Sequence, residues 1–283
     1  MEPRVQLSLV ISTRNRAAQL RRCLNSLLLL DSARPWEIVI VDNGSSDDTA
    51  EVIEEFRGRS PCPLIAVFVP QPGLGRARNH GWRAASGEVV AFTDDDCYPD
   101  AHFVSAVAAA FAAQPGLGFL GGRIRLYDPT DYPITVQENP QGIDLPPRRF
   151  IPAGLIQGAN FALRRSALEA IGGFDPLFGA GALFPCEDVD VIARASAAGW
   201  RGAYDPTPVV YHHHGRKTRE EAGRLMRQYD HGRGAYYAKC LLNRVLRRST
   251  LKHWCRQVPY QSPACTWREL RAACQYLLAR ASS

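Results

Sequence analysis

An α/β fold built on a doubly wound, mostly parallel sheet with helices on both faces is what this sequence predicts, and three observations predict it. Short β-branched runs alternate in strict order with helical patterns through the first half of the chain. Those runs are apolar almost without interruption, as strands covered on both faces must be. The turns that follow them carry small polar and acidic residues, and in open α/β sheets ligands gather at the carboxyl ends of the strands.

Element by element, LSLVIS (7 to 12) is the first strand, and a helix with Leu20, Leu24, Leu27 and Leu28 on one face follows it. EIVIVD (37 to 42) is the second strand, and a helix opens near Thr49. LIAVFV (64 to 69) precedes a Gly-rich turn and a short helix from about Arg76 to Ala85. EVVAFTD (88 to 94) leads into an Ala-rich helix from about Asp100 to Ala113. Residues 127 to 153 hold six prolines and little periodicity, and long irregular loops in compact domains are usually lids or binding loops. We assign that stretch to the acceptor side. Helices are expected at about Arg164 to Ile171 and Cys186 to Ala198, a short strand at 209 to 213, and helical, basic sequence from 217 onward.

With 283 residues, 46% of them hydrophobic, the chain can bury one large core or two modest ones, which excludes a disordered or fibrous class. Eight cysteines are scattered without a C-x-x-C pair, so neither a zinc ribbon nor a disulfide framework is indicated and reduced thiols are expected. The N-terminus shows no signal-like apolar region and no apolar run has membrane-spanning length. A cytoplasmic location follows as the expectation, with peripheral attachment to the cytoplasmic membrane left open. The formal charge of +6 is uneven: residues 214 to 283 hold 15 Lys and Arg against 4 Asp and Glu, leaving 19 against 24 in the rest. The acidic part is expected to hold the chemistry.

Asp94, Asp95 and Asp96 end an apolar strand, and three adjacent like charges need a counter-charge. If the backbone stays extended there, Asp94 and Asp96 face the same way and can share a hard divalent cation such as Mg²⁺ or Mn²⁺. A solvated acidic turn or helix cap is the plainer alternative. Asp42 ends another strand before Asn43-Gly44-Ser45-Ser46-Asp47-Asp48, and either caps the next helix or accepts a hydrogen bond from a nucleobase N–H. Pro72 to Asn79 has two glycines of a dinucleotide fingerprint but lacks the third and does not follow the first strand, which argues against a dehydrogenase. Its Arg76 and Arg78 suit a base or a diphosphate instead. Glu187 and Asp188 open a helix, where acids are favourable in any case; at the acceptor side of a pocket, Asp188 can take the proton of an attacking hydroxyl. One imidazole of His212, His213 and His214 can complete a metal sphere, while Arg216 and Lys217 can neutralise a departing diphosphate.

The sequence resembles the family 2 glycosyltransferases, inverting enzymes of the GT-A fold, from its first strand to about Lys217. The resemblance rests on VISTRNR, IVIVDNGSSDDT, GLGRARNHG, VVAFTDDDC, GANFALRRSALEAIGGFD, EDVDVIARASAAGW and VVYHHHG, in the family's order and separations. It implies Thr13 and Arg14 by the nucleoside, Asp42 on the base, Arg78 supporting the nucleotide, and Asp94, Asp95 and Asp96 at ribose and metal. It further implies Asn160 near the donor sugar, Asp188 as base, and His212 as third metal ligand with His214 as the alternative. Residues 172 to 175, GGFD, read as a structural turn. The implied reaction is a single displacement from a nucleoside diphosphate sugar, UDP-sugar favoured, to a saccharide or lipid-linked acceptor in cell-surface polysaccharide synthesis, with Mn²⁺ or Mg²⁺ as cofactor. Residues 1 to 126 would be the nucleotide-sugar half, 127 to 216 the acceptor half, and 217 to 283 a basic helical extension.

In that extension Tyr237, Leu241, Leu242, Val245 and Leu246 interleave with Lys239, Arg244, Arg247 and Arg248. This reads either as a helix packed on the catalytic domain or as a basic amphipathic face at a membrane surface. Nucleic acid is not an expected partner, since no recognition module accompanies the charge. Two other functions compete: a catalytically silent binding or scaffold protein, and a nucleotidyltransferase. The latter calls for a Gly-rich basic loop after the first strand, where this chain has Ser12-Thr13-Arg14-Asn15-Arg16.

Overall fold

The computed structural model describes residues 5–31 and 34–281. In chain order its strands are β1 (Leu7–Thr13), β2 (Trp36–Asp42), β3 (Leu64–Phe68), β4 (Val89–Asp94), β5 (Cys97–Pro99), β6 (Leu117–Leu126), β7 (Ile143–Leu145), β8 (Phe161–Arg164) and β9 (Arg201–His212). The helices are α1 (Ala17–Leu27), α2 (Thr49–Arg57), α3 (Leu74–Ala84), α4 (Phe103–Ala113), α5 (Arg165–Ile171), α6 (Glu187–Ala197), α7 (Arg219–Leu242), α8 (Arg247–Gln257) and α9 (Pro263–Ala281).

All the described strands join one sheet in the order β3-β2-β1-β4-β8-β6-β9-β5, with β7 added beside β9. The parallel part is the first half of the chain: β1 runs with β2 and β4, and β2 with β3. Every residue of β2 is buried: the run Ile38 to Val41 is apolar, and Glu37 is satisfied by Ser8 and Ser86. Leu9, Ile11, Ile38 and Ile40 pack on the α1, α2 and α4 side, while Val10, Val39 and Val41 pack with Ala77 and Trp82 of α3 on the other. The period-two alternation of a strand thus fills both faces. α3 lies tight on the sheet at Gly81, where a Cβ would stand 2.5 Å from Val10 Cγ1.

Beyond β4 the expectation of a mostly parallel sheet gives way to a mixed one. β8 is antiparallel to both β4 and β6, β5 and β7 are antiparallel to β9, and β6 and β9 are parallel. These strands carry no continuous apolar run. β6 contains Gly118, Gly121 and Gly122 and does not declare itself as a strand in composition, and the two prolines of β9 hide all of it but the expected end near Val209 to His212. The glycines are there for close contact: a Cβ on Gly118 would meet Trp200 at 2.5 Å. Part of the Pro-rich stretch is also ordered into the sheet, through β7 and a bridge between Ile124 and Gln137.

The tail helices are docked on the core. Ala235, Tyr236, Tyr237 and Cys240 of α7 share a buried cluster with Phe178, Phe184, Val189 and Ala273. Tyr236 donates to the Ile151 carbonyl at 2.7 Å, and Lys239 reaches Asp175 and Asp190, each at 2.6 Å. Packing on the catalytic domain, rather than membrane contact, is therefore the state of the stretch around Tyr237 and Lys239. No helix among the described residues is long and apolar enough to cross a membrane.

Candidate active site

Strand register sets the site. Thr13 lies opposite Asp42, and Ser12 opposite Asp94, so the ends of three parallel strands form one rim. The loops leaving this rim hold each other: Asn15 N donates to Ser45 Oγ at 2.9 Å, Ser46 N to Asn15 Oδ1 at 2.7 Å, and Ala17 N to Asp47 Oδ2 at 3.0 Å. Asp42 is buried and accepts from Ser45 N at 2.8 Å through Oδ1. Asn43 clamps the neighbouring loop, accepting from Gly73 N at 2.8 Å and donating to the carbonyls of Val69 and Gln71.

Asp94 pairs with Arg78, whereas Asp95 and Asp96 share Arg16. The chain turns at Asp95 and Asp96 between β4 and β5, so the extended-strand expectation that Asp94 and Asp96 face one cation together fails. Asp94, the most open of the three at 33% side-chain exposure, accepts from Arg78 Nη2 at 2.9 Å. Asp95 is turned inward, accepting from Thr13 Oγ1 at 2.6 Å with Arg16 Nε 2.8 Å away, which ties it to β1 rather than to an open ribose site. Burial pushes Asp95 up to about 7 against the pull of Arg16. Asp96 divides its oxygens: Oδ2 takes Arg16 Nη2 at 2.6 Å and Oδ1 faces His212 Nε2 at 3.4 Å. Burial works to raise it, yet His212 and Arg16 together hold it at about 2, so it stays ionised. Arg16, which lies within the VISTRNR stretch, is the counter-charge that three adjacent acids demand; it was not singled out in the sequence because nothing local links it to residues 80 positions away.

Antiparallel pairing of β5 with β9 sets Cys97 opposite His212, and this pairing carries the imidazole to Asp96. Asp96, Cys97 and His212 form the compact group of possible ligand atoms among the described residues, all within 4.8 Å of one another. Asp94 lies outside it. The donor set fits a divalent cation through Asp96 oxygen and His212 nitrogen. Cys97 does not fit one that prefers oxygen, because burial raises its thiol well above its ordinary value and keeps it protonated. On its other side His212 Nδ1 meets Thr135 Oγ1 at 3.1 Å, and Thr135 takes a left-handed φ of 54° to place that hydroxyl. The alternative imidazole is accounted for elsewhere: His214 Nε2 meets the Tyr132 carbonyl at 3.2 Å and Nδ1 accepts from Arg216 N at 3.0 Å.

Arg78 joins the acceptor side to the rim. Buried, with its guanidinium 5.1 Å from the Phe161 ring centroid, it donates to Glu187 Oε1 at 2.7 Å, to Asp94 and to the Gly158 carbonyl at 3.0 Å. It therefore supports carboxylates directly instead of reaching for phosphate. Asp188 stands next to it: a Cβ on Gly158 would lie 3.3 Å from both Asp188 Oδ2 and Arg78 Nη2. Asp188 is half-buried and accepts from Val189 N at 2.8 Å. Burial raises its carboxyl above the ordinary range, with Arg78 opposing. Asp190, two residues on, points elsewhere and pairs with Arg194 and Lys239. α7 closes this side, since Gly232 sits so near the turn before α6 that a Cβ would come 2.6 Å from the Pro185 carbonyl. One turn earlier Tyr229 is half-buried; burial first, then the charges of Asp188 and Asp94, raise its phenol. Only the three-dimensional course of α7 brings Tyr229 to the site.

Three further residues expected at the nucleotide or donor are placed as follows. Asn160 is buried, and its amide donates to the carbonyls of Arg123 (2.8 Å) and Pro208 (3.0 Å), pinning β6 to β9 rather than facing a donor sugar. Lys217 is exposed and bound to Asp128 and Thr130 at 2.8 and 2.6 Å. Arg14 is exposed, whereas its neighbours Thr13 and Arg16 engage the acids. The GGFD turn is structural as expected: Gly172 caps α5 in the left-handed region, and Asn79 accepts from Phe174 N at 2.8 Å.

A parallel nucleotide-type sheet extended by antiparallel strands, with carboxylates along its rim, defines a glycosyltransferase of GT-A type. The pattern of Glycosyl transferase family 2 matches residues 8–172, and the chain belongs to that family. Among curated relatives, an uncharacterised glycosyltransferase of Nostoc sp. is 31% identical over 61% of this chain and 55% of its own length. A pre-mycofactocin glycosyltransferase of Mycobacterium tuberculosis is 29% identical over 76% of this chain and 44% of its own, so the chain spans about half the length of these relatives. An N-acetylglucosaminyl-diphospho-decaprenol L-rhamnosyltransferase of M. tuberculosis is 29% identical over 77% of this chain and 80% of its own. Among solved structures, a mannosyltransferase of Pyrobaculum calidifontis in complex with GDP-Man and Mn²⁺ superposes with a TM-score of 0.68, at 21% identity, covering all of this chain and 76% of that one. S. aureus TarS 1-349 in complex with UDP gives 0.63 at 19% identity, covering 87% of this chain and 68% of that one.

Proposed function

We propose that the protein transfers a sugar from a nucleoside diphosphate sugar to a hydroxyl of a saccharide or lipid-linked saccharide, with inversion. The observation that carries this reading is the bridge made by Arg78, which holds Asp94 of the nucleotide rim and the first turn of α6, where Asp188 stands, in one buried constellation. Asp42 offers an acceptor to a base N–H at the end of β2, and Asp94 offers one to the ribose. Asp96 and His212 would hold a divalent cation, which when bound supplies positive charge to the leaving diphosphate. Asp188 accepts the proton of the attacking hydroxyl as its oxygen bonds to the anomeric carbon and the diphosphate oxygen departs with the bonding pair. Its raised pKa suits a base, and Tyr229 borders the space the acceptor would enter. Arg216, beside the histidine run, is a further cation for the diphosphate.

Uridine is the favoured nucleoside, supported by the UDP complex of TarS; the GDP-Man complex of the Pyrobaculum enzyme makes guanosine the runner-up. A lipid-linked acceptor is supported by the mycobacterial relative, named for a decaprenol-linked substrate. The test is to incubate the protein with UDP- and GDP-sugars, Mn²⁺ and a panel of glycoside acceptors, following nucleotide release and the anomeric configuration of any product. An inverted glycoside is expected. A product of retained configuration, or no turnover of any donor, would overturn the reading.

A further inference from the structure

α7 is docked, yet much of α8 and the outer face of α9 are not covered. α9 turns Glu269, Ala272, Ala273 and Tyr276 inward, and a second stripe, Trp267, Leu270, Cys274 and Leu277, outward. Spacings of three, four and three residues put these four on one helical face. Trp267 is 68% exposed, and Tyr260 on the connecting 3₁₀ turn, Val258–Tyr260, is 87% exposed. A fully outward tryptophan in line with three apolar neighbours is a patch that calls for a partner.

Charge selects the partner. Between 243 and 281 the acid is Glu269 alone, buried and engaged by Arg233, Trp254 and Gln261. Arg271 on the same helix, and Arg244, Arg247, Arg248, Lys252 and Arg256 in the preceding segment, are exposed, with no ion pair to an acid among the described residues. A second copy would bring the same cations against these, and like charges repel. An anionic lipid surface satisfies both features, since aromatic and aliphatic side chains enter the headgroup boundary and each Lys or Arg is attracted to the leaflet.

We infer that the outer face of α9, with the basic α8 segment before it, is a peripheral docking surface for anionic membrane, with Trp267 and Leu270 as the inserting side chains. This goes beyond the proposed transfer reaction and does not depend on it. The assay is sedimentation of the full chain with vesicles of phosphatidylcholine alone, and of phosphatidylcholine and phosphatidylglycerol in equal parts. Cys274 is labelled with an environment-sensitive fluorophore in a Cys255→Ser background. The expected result is binding to the anionic vesicles only, weakened by salt, with a blue shift at position 274. Arg247→Ser, Arg248→Ser and Lys252→Ser together should lower affinity roughly 100-fold. Trp267→Glu with Leu270→Glu should abolish binding, while the circular dichroism spectrum and nucleotide binding stay unchanged. Folded wild type that ignores anionic vesicles, or charge and stripe variants that bind as wild type does, would overturn the inference. So would a concentration-dependent dimer lost in Trp267→Glu, which would assign the face to a second copy.

Discussion

Asp188 and Asp96 do different work, and single substitutions separate them. Asp188→Asn should leave donor binding near wild type and reduce transfer by about 10²- to 10⁴-fold, the usual contribution of a general base; equal losses in binding and turnover would move the base elsewhere. The rate should also rise with pH through the pKa of Asp188, which burial lifts above the ordinary carboxylate range, because only the ionised form takes the proton. A pH–rate profile should show that ascending limb in wild type and lose it in Asp188→Asn. Asp96→Ala should weaken Mn²⁺-dependent donor binding, whereas Cys97→Ser should leave it intact; calorimetry on both variants distinguishes carboxylate from thiol. At this scale much was legible: Asp42, the three adjacent acids, Asp188 and His212 are all recognisable as strand-end or helix-start polar residues. Arg16 and Tyr229 were not, because their roles depend on contacts 80 residues away and on the course of α7. The setting of Asn160 was not legible either, because a short amide in its motif gives no sign that two carbonyls will take its donors.

Among elements, the junction of α6 and α7 is held by a buried ion pair, Lys239 with Asp190. Asp190 is buried between Arg194 and Lys239, whose attraction outweighs the burial penalty and lowers its carboxyl. A depressed carboxyl contributes stability that is present above its unfolded pKa of about 3.9 and is lost as pH falls through the lower folded value. Asp190→Ala would leave two cations at a buried site and should cost about 3–5 kcal/mol, read as a lower midpoint in urea unfolding; a loss within about 0.5 kcal/mol would show that Asp175 suffices for Lys239. Helices α1 to α6 and strands β1 to β4 were readable from their alternating helical patterns and apolar runs, and the stretch from 217 was readable as helical without its separate helices. Strands β5 to β8 were not, being three or four residues long or, in β6, punctuated by glycines that admit Trp200 and Ile156. The chain turn at Asp95 and Asp96 was one of two readings the sequence left open, and the three-residue strand that follows it directly gave no pattern to decide between them.

For the molecule as a whole, the basic tail is part of the fold as well as a surface. Its α7 and α9 complete the cluster around Phe178, Phe184 and Val189. Truncation after Lys217 should therefore uncover that cluster and yield an aggregating or unstable protein, measured by light scattering and thermal unfolding; a soluble, active fragment would contradict the packing described. The charge asymmetry was visible in the sequence, but which face of the tail is buried was not, because α7 and α9 each carry apolar residues on more than one side. The central claim, that the rim at Asp42, Asp94, Asp96 and His212 is a cation-assisted nucleotide site, is tested most directly by calorimetric titration of UDP and GDP with and without Mn²⁺. The account predicts that one nucleoside diphosphate binds, and binds more tightly with the cation. Failure of both to bind the folded protein, or affinities that Mn²⁺ leaves unchanged, would contradict it.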